Sequence, residues 1–365
     1  MPLAFLRGAK MRRAVIEVQF NWIFVLIVGA IILSFFVGIV LKQKDVSIKT
    51  IGVKLAYDLE TITTGAEVSK ETAQIIKVPD LGISFSSKGC LRQYTIGTGT
   101  KQYKEKVIFA PDRIEGTELL SWTLPWYMPY RNTNFLLFSS RYLRYILVND
   151  ETNEGIALVN KVKGILPEVV YSEVIKSSQM NSVINQKNYK VRFIFFGNAQ
   201  PLQVPADLSS MDDIDVSAIH VSCSADLQSG TLQFYRKHGN NFESFGSQTF
   251  FLGSASLFGA IFADDPELYD CNMQEAFKRM SFVTRLLLNR TTMLYNDPTT
   301  SSCKNDYFAA IDKLKQIAAK AVVCSTDFPL TSCDVSEIRS YVYDPSTGLE
   351  RLNGNLQLHS CSEMY

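Results

Sequence analysis

Histidine is scarce in this chain: His220, His238 and His359 are the three among 365 residues. Only His359 has a potential ligand close by, Cys361, and two ligands do not make a zinc site. HExxH, GxSxG and the Walker sequence are missing, so the chain carries no motif of a metalloprotease, an α/β-hydrolase or a P-loop enzyme. An excess of charge of one sign is missing too, since 37 basic and 36 acidic residues leave a net charge of +1. That balance argues against a nucleic-acid partner, which normally demands a basic face. Neither low-complexity stretches nor internal repeats occur. No cofactor, metal or catalytic constellation is expected, and the chain reads as non-enzymatic.

Long apolar runs are absent but for one. Val18 to Leu41 is twenty-four residues without a charge, standing behind Lys10, Arg12 and Arg13. As a helix it would be about 36 Å long, enough to cross a hydrocarbon core of about 30 Å. It exceeds the apolar core of a secretory signal and ends in Leu41-Lys42-Gln43-Lys44, not in a small-x-small cleavage site. Trp22 stands where an aromatic-belt residue would lie. Four basic residues (Arg7, Lys10, Arg12, Arg13) precede the run and Lys42, Lys44 and Lys49 follow, a slight bias towards a cytoplasmic N-terminus. All seven cysteines lie beyond the run, as in a domain exported to a disulfide-permissive space. The expected topology is a cytoplasmic N-terminus (1–17), one span (18–41) in contact with membrane lipid, and an ectodomain that meets other surface proteins.

The opening resembles the class III signal of archaeal type IV pilin-like proteins, with Arg13-Ala14 as the cleavage point and Glu17 as the acid of the assembly helix. The resemblance covers about thirty residues, and Glu17 falls at the third position of the mature chain it implies, not the usual fifth. It implies a filament subunit. The rest of the chain is similar to single-span surface proteins of archaea, a likeness that brings no activity with it.

Behind the anchor, residues 42–104 read as a membrane-proximal β-containing region, with strand-like pieces such as IKTIGVKL (48–55) and IIKVPDLGISF (75–85). Residues 105–265 read as an α/β domain, a Rossmann-like open sheet. Its βαβ core would be a strand at Arg144–Val148, a helix over Pro167–Ile184 and a buried strand at Val191–Phe196, extended by strands at Val216–Val221, Thr231–Tyr235 and Ser256–Phe262. Residues 266–324 read as a helical hairpin. Met273, Phe277, Met280, Thr284, Leu287 and Leu294 mark one face of its first helix, and Tyr307, Ala310, Leu314, Ile317 and Ala321 one face of its second. A Cys-containing tail occupies 325–365. An antiparallel hairpin would bring Cys271 beside Cys324, and we expect a disulfide there. Cys333 and Cys361 would pair with each other or with Cys303.

Several residues qualify as sites. A small ligand of the α/β domain would lie beyond the carboxyl ends of its strands, near Asn149, Asp150 and Asn198. Asp212, Asp213 and Asp215 invite a hard cation, but their spacing lacks an EF-hand's alternation and fits a solvated loop leading into a strand. His220 fits a satisfied core histidine. Thr95–Thr100 (TIGTGT) reads as a turn, with no helix behind it to hold a phosphate. Asn289-Arg290-Thr291 is a glycosylation sequon on the first long helix. Trp122, Trp126, Tyr127 and Tyr130 fit a clasp between domains, or else a partner-binding or membrane-resting loop.

Overall fold

The structure is a computed structural model that describes residues 24–40, 42, 52, 54–57, 59–61, 64–65, 71–80, 82–97, 99–326, 329–330 and 333–365. Residues 24–40 are helical (α1). The rest of the expected span, residues 18–23 and Leu41, lies outside the described residues, as do residues 1–17 with Arg13, Ala14 and Glu17. Among the described residues no helix is long and apolar enough to cross a membrane. The remainder is a mixed α/β assembly of three sheets with a helical C-terminal region.

The central sheet has four strands in the order β1 (Thr72–Lys77), β7 (Glu118–Tyr127), β8 (Arg131–Ser140) and β5 (Val107–Phe109). Its side chains alternate between two cores, as a period of two demands. On β8, Phe135 and Leu137 face the large core while Leu136 and Phe138 face a smaller one. An antiparallel sheet covers the smaller core, in the order β4 (Gly99–Gln102), β3 (Leu91–Ile96), β2 (Ile83–Lys88) and β6 (Arg113–Ile114). Beside Phe85, Tyr94 and Ile96 lie Leu55 and Leu59. Residues 54–57 are helical where alternation suggested a strand, and the four-residue spacing of these two leucines places both on one buried helical face. Strand pairing also crosses the boundary expected at residue 104, because β1 pairs with β7 and β2 with β6.

The third sheet has a parallel part ordered β10 (Ser172–Lys176), β9 (Leu143–Asn149), β11 (Lys190–Phe196) and β12 (Val216–Cys223). It continues antiparallel through β13 (Ser229–His238) to β14 (Asn241–Ser244), and β15 (Thr249–Leu252) also pairs with β13. The crossover helix precedes the expected one: α2 (Asn153–Ile165) joins β9 to β10, and residues 167–184 contain β10 and a short 3-10 stretch. Pro167 follows the end of α2 because a residue before proline disfavours helical ψ, and Leu166 is extended at ψ 130°. Ser256–Phe262, expected as a strand, lies in helix α3 (Ser254–Phe262), with eight of its nine residues buried.

Helices α4 (Pro266–Asn296) and α5 (Lys304–Thr326) pack against each other, followed by α6 (Val335–Tyr343) and α7 (Leu349–Leu358) in the segment read as a tail. The marked stripes face the core: Met273, Phe277, Met280 and Thr284 on α4 and all five named α5 residues are buried. Trp122 and Trp126 are buried strand residues of β7. Trp126 donates from Nε1 to the Leu252 carbonyl at 2.7 Å and packs on Phe135 and Phe277, so the aromatic segment joins sheet to helices and leaves Tyr127 exposed.

Three disulfides fasten these layers: Cys90–Cys271, Cys303–Cys361 and Cys324–Cys333. The expected Cys271–Cys324 bond is not formed. The turn between β2 and β3 brings Cys90 to the start of α4, and the chain leaving α5 turns back within nine residues to bring Cys333 to Cys324. Cys223 is the free thiol, and burial pushes its pKa up to about 11.

Candidate functional site

In the parallel part of the third sheet, β9 and β10 run in one direction across the sheet and the chain then returns to place β11 on the other side of β9. Such a reversal opens a crevice between the carboxyl ends of two strands, the usual ligand position of an open α/β sheet. Asn149 and Asp150 leave β9 there, and Asn198 follows β11. The structure joins two of them directly: Asp150 Oδ2 accepts from the Asn198 amide at 2.9 Å. Asp150 Oδ1 accepts from the amide and hydroxyl of Thr152, at 3.1 and 2.6 Å, and the Thr152 side chain caps α2.

A carboxylate thus sits at the N-terminus of α2, where the helix dipole favours negative charge. Burial raises the Asp150 pKa, but the hydrogen bonds from Asn198 and Thr152 outweigh it and hold the carboxyl below its usual value. Gly155 and Gly197 make room, since a Cβ on either would overlap the carboxylate. Asn149 is buried, donates to the Ile175 carbonyl at 3.1 Å and accepts from the Glu151 amide at 3.1 Å. The three expected residues lie together at the strand ends, but the Asn149 side chain is bonded to adjoining backbone and the Asp150 carboxylate to the Asn198 and Thr152 amides and the Thr152 hydroxyl. Where an anionic ligand would meet the helix terminus, the chain supplies its own anion.

His220, half-buried on β12, has Nε2 2.9 Å from the Gly197 carbonyl. Asp213 pairs with Lys237 at 2.6 Å and Asp215 with Arg113 at 2.8 Å. The acidic loop therefore ends in ion pairs as it enters β12, and no cluster that could hold a metal ion occurs among the described residues. Asn289 is exposed on α4, while the hydroxyl of its sequon partner Thr291 donates to the Leu287 carbonyl at 2.8 Å.

A second polar cluster was not foreseen. Lys190 and Arg192 alternate along β11 on one face and are each 1 % exposed. Lys190 pairs with Asp112 and Asp264. Arg192 donates to the carbonyls of Ala260, Ile261 and Ala263 at the end of α3 and, at 3.0 Å, to Ser217. A cation at a helix C-terminus complements its dipole. Burial raises the Asp264 pKa, but Lys190 and Arg192 prevail and hold it below the usual carboxylate value; Asp112 is raised by burial and by Asp264. Burial lowers Arg192 to about 10. The signal was present in KVRFIFF, two basic residues two apart in an otherwise apolar strand. Buried but for the partly exposed Asp112, and with its charges paired, this cluster holds sheet and helix together and offers no reacting group.

Comparison with known protein families, curated proteins and solved structures returned no match.

Proposed function

We propose that the chain is a membrane-anchored extracytoplasmic protein acting through protein contacts, as a scaffold or a component of a surface assembly. In this reading residues 1–17 are cytoplasmic, Val18–Leu41 cross the membrane and residues 42–365 lie outside. One observation carries it: α1 presents Phe24, Leu33 and Phe35 at 67, 68 and 67 % exposure on a helical stretch without a charge. So large an apolar surface demands cover. The three disulfides add support, since such bonds persist in oxidising compartments. We read the parallel strands as a Rossmann-like sheet whose later crossovers have lost their helices. An anchored solute receptor is disfavoured because Asp150 already fills the helix terminus in the crevice.

Alkaline carbonate extraction of membranes, followed by protease treatment of sealed cells, tests this. The full chain should stay with the membrane and its bulk should be cleaved from outside; release by carbonate would sink the anchor, and protection from protease would sink the orientation. The same exposed helix favours one further reading, a pilin-like subunit in which copies of α1 cover one another. A native chain beginning near Val15, found by intact mass spectrometry, would select it.

A further inference from the structure

The two halves of α4 differ. Up to Met280 its apolar residues are buried, but beyond it a second face carries Phe282, Leu286 and Met293 at 64, 54 and 74 % exposure. Among them stand Lys278, Arg285 and Arg290, all exposed, and from Ala276 to Asn296 there is no Asp or Glu. Exposed apolar residues interleaved with cations on one helical face are the pattern of a helix lying in a membrane interface.

The neighbouring chain locates that interface. Lys101 pairs with Glu60, and Lys106 donates to the Glu60 carbonyl and to Thr64, in the segment that follows α1. The same loop reaches α4, where Arg279 donates to the Glu105 carbonyl. Lys101 and Lys106 on one side and the Glu105 carbonyl on the other therefore tie the segment that follows α1 to α4 through this loop. A cavity of about 780 Å³ beside Phe282 is lined by Lys278, Arg279 and Arg285 with Glu105 and Glu275. Of these acids, Glu275 is 12 % exposed and lies 3.3 Å from Arg92 and 3.8 Å from the exposed Lys278.

We propose that this face of α4 rests on the surface of the bilayer that holds α1, with anionic phospholipid as its occupant. Phe282, Leu286 and Met293 enter the headgroup layer and Lys278, Arg285 and Arg290 meet the phosphates. The proposal rests on the anchored reading. It would make the domain lie down on its membrane and would orient the opposite surface towards partners.

The test uses the full chain in nanodiscs of phosphatidylcholine alone or with phosphatidylglycerol. Peroxide oxidation of Met293 is followed by peptide mass spectrometry, with buried Met280 as the internal reference. Oxidation of Met293 should be several-fold slower in the anionic discs, and the triple variant Lys278→Glu, Arg285→Glu, Arg290→Glu, checked for unchanged thermal unfolding, should lose that protection. Equal rates in the two discs would overturn the proposal. So would protection in detergent that grows with protein concentration, which would mean that a second copy covers the face, or a glycan on Asn289 of the native protein. If carbonate washing removes the chain from the discs, the anchored reading fails by itself. Flotation of the freed chain with anionic vesicles but not neutral ones then upholds the docking, and its absence overturns it.

Discussion

Asp264 and Asp150 are both acidic residues at helix termini of the α/β part, and both have their oxygens occupied. Asp264, between α3 and α4, is sealed with two cations, Lys190 and Arg192. Asp150, before α2, remains near water and is held by backbone amides and a hydroxyl. The difference is one of dielectric. A buried charge stripped of its partner leaves the others uncompensated, whereas a near-surface one is replaced by water. Asp264 thus belongs to the stability of the fold, and Asp150 to the shape of the crevice.

Substitution should separate them. Asp264→Asn leaves Lys190 with Asp112 as its one carboxylate and Arg192 with carbonyl and hydroxyl partners alone, and should cost about 3–5 kcal/mol, read from the denaturant midpoint; a loss no larger than a surface substitution would break the contrast. Its pH dependence has a defined sign. The folded pKa of Asp264 lies below the usual value, so its contribution is complete above that value and is lost as pH falls through the folded pKa. Asp112 opposes it: its folded pKa is raised, so ionising it costs stability as pH rises through that pKa.

Gly197→Ala should rank next, at about 1–3 kcal/mol. Gly197 has φ +70°, and the added Cβ would overlap the Asp150 carboxylate. The cost should shrink in an Asp150→Ala background, and a double-mutant cycle reads the coupling. Purely additive losses would mean that backbone strain alone keeps this glycine. Asp150→Ala by itself should cost about 1 kcal/mol, the scale of a lost helix-terminus acceptor. The deficit should be present above the usual Asp pKa and fade in acid. If this variant gains thermal stability from added phosphate while the parent does not, the crevice is an anion site closed by its own side chain.

The pattern of what was readable beforehand follows the same physics. The stripes of α4 and α5 were legible because one face of each meets a core, and a half-buried helix repeats every 3.6 residues. Helix α3 was not: buried nearly all round, it presents an unbroken apolar run that periodicity cannot tell from a buried strand. Helix α2 was missed because its buried stripe is thin, Leu158, Val159 and Val162, and because Pro167 suits a helix start as well as the residue after a helix end. Asn149, Asp150 and Asn198 could be placed at strand ends from the sequence. That Asp150 bonds Asn198 across the crevice depends on β11 lying beside β9, a strand order that no local pattern encodes. The Cys271 partner failed likewise, since Cys90 approaches across a separation of 181 residues.

Asp226 supplies the weakest case and sharpens the contrast from its exposed end. It accepts from Ser224 at 2.6 Å and from the Gln228 amide at 3.1 Å, and pairs with Arg339 of α6. Burial is the largest single influence and raises its pKa, but these partners together prevail and bring it to about 2. Both side chains of the ion pair are about two-fifths exposed, at 38 and 41 %, so solvent screens it and the pair should contribute no more than about 1 kcal/mol. Asp226→Asn should therefore lower the unfolding midpoint only slightly at neutral pH, and the difference should disappear between the usual value of 3.8 and about 2, as the wild-type carboxylate takes up its proton. Hydrogen exchange on α6 reads the effect locally. A large neutral-pH loss would mean that α6 is held mainly through this one carboxylate, and that exposure is a poor guide to which charges in this protein matter.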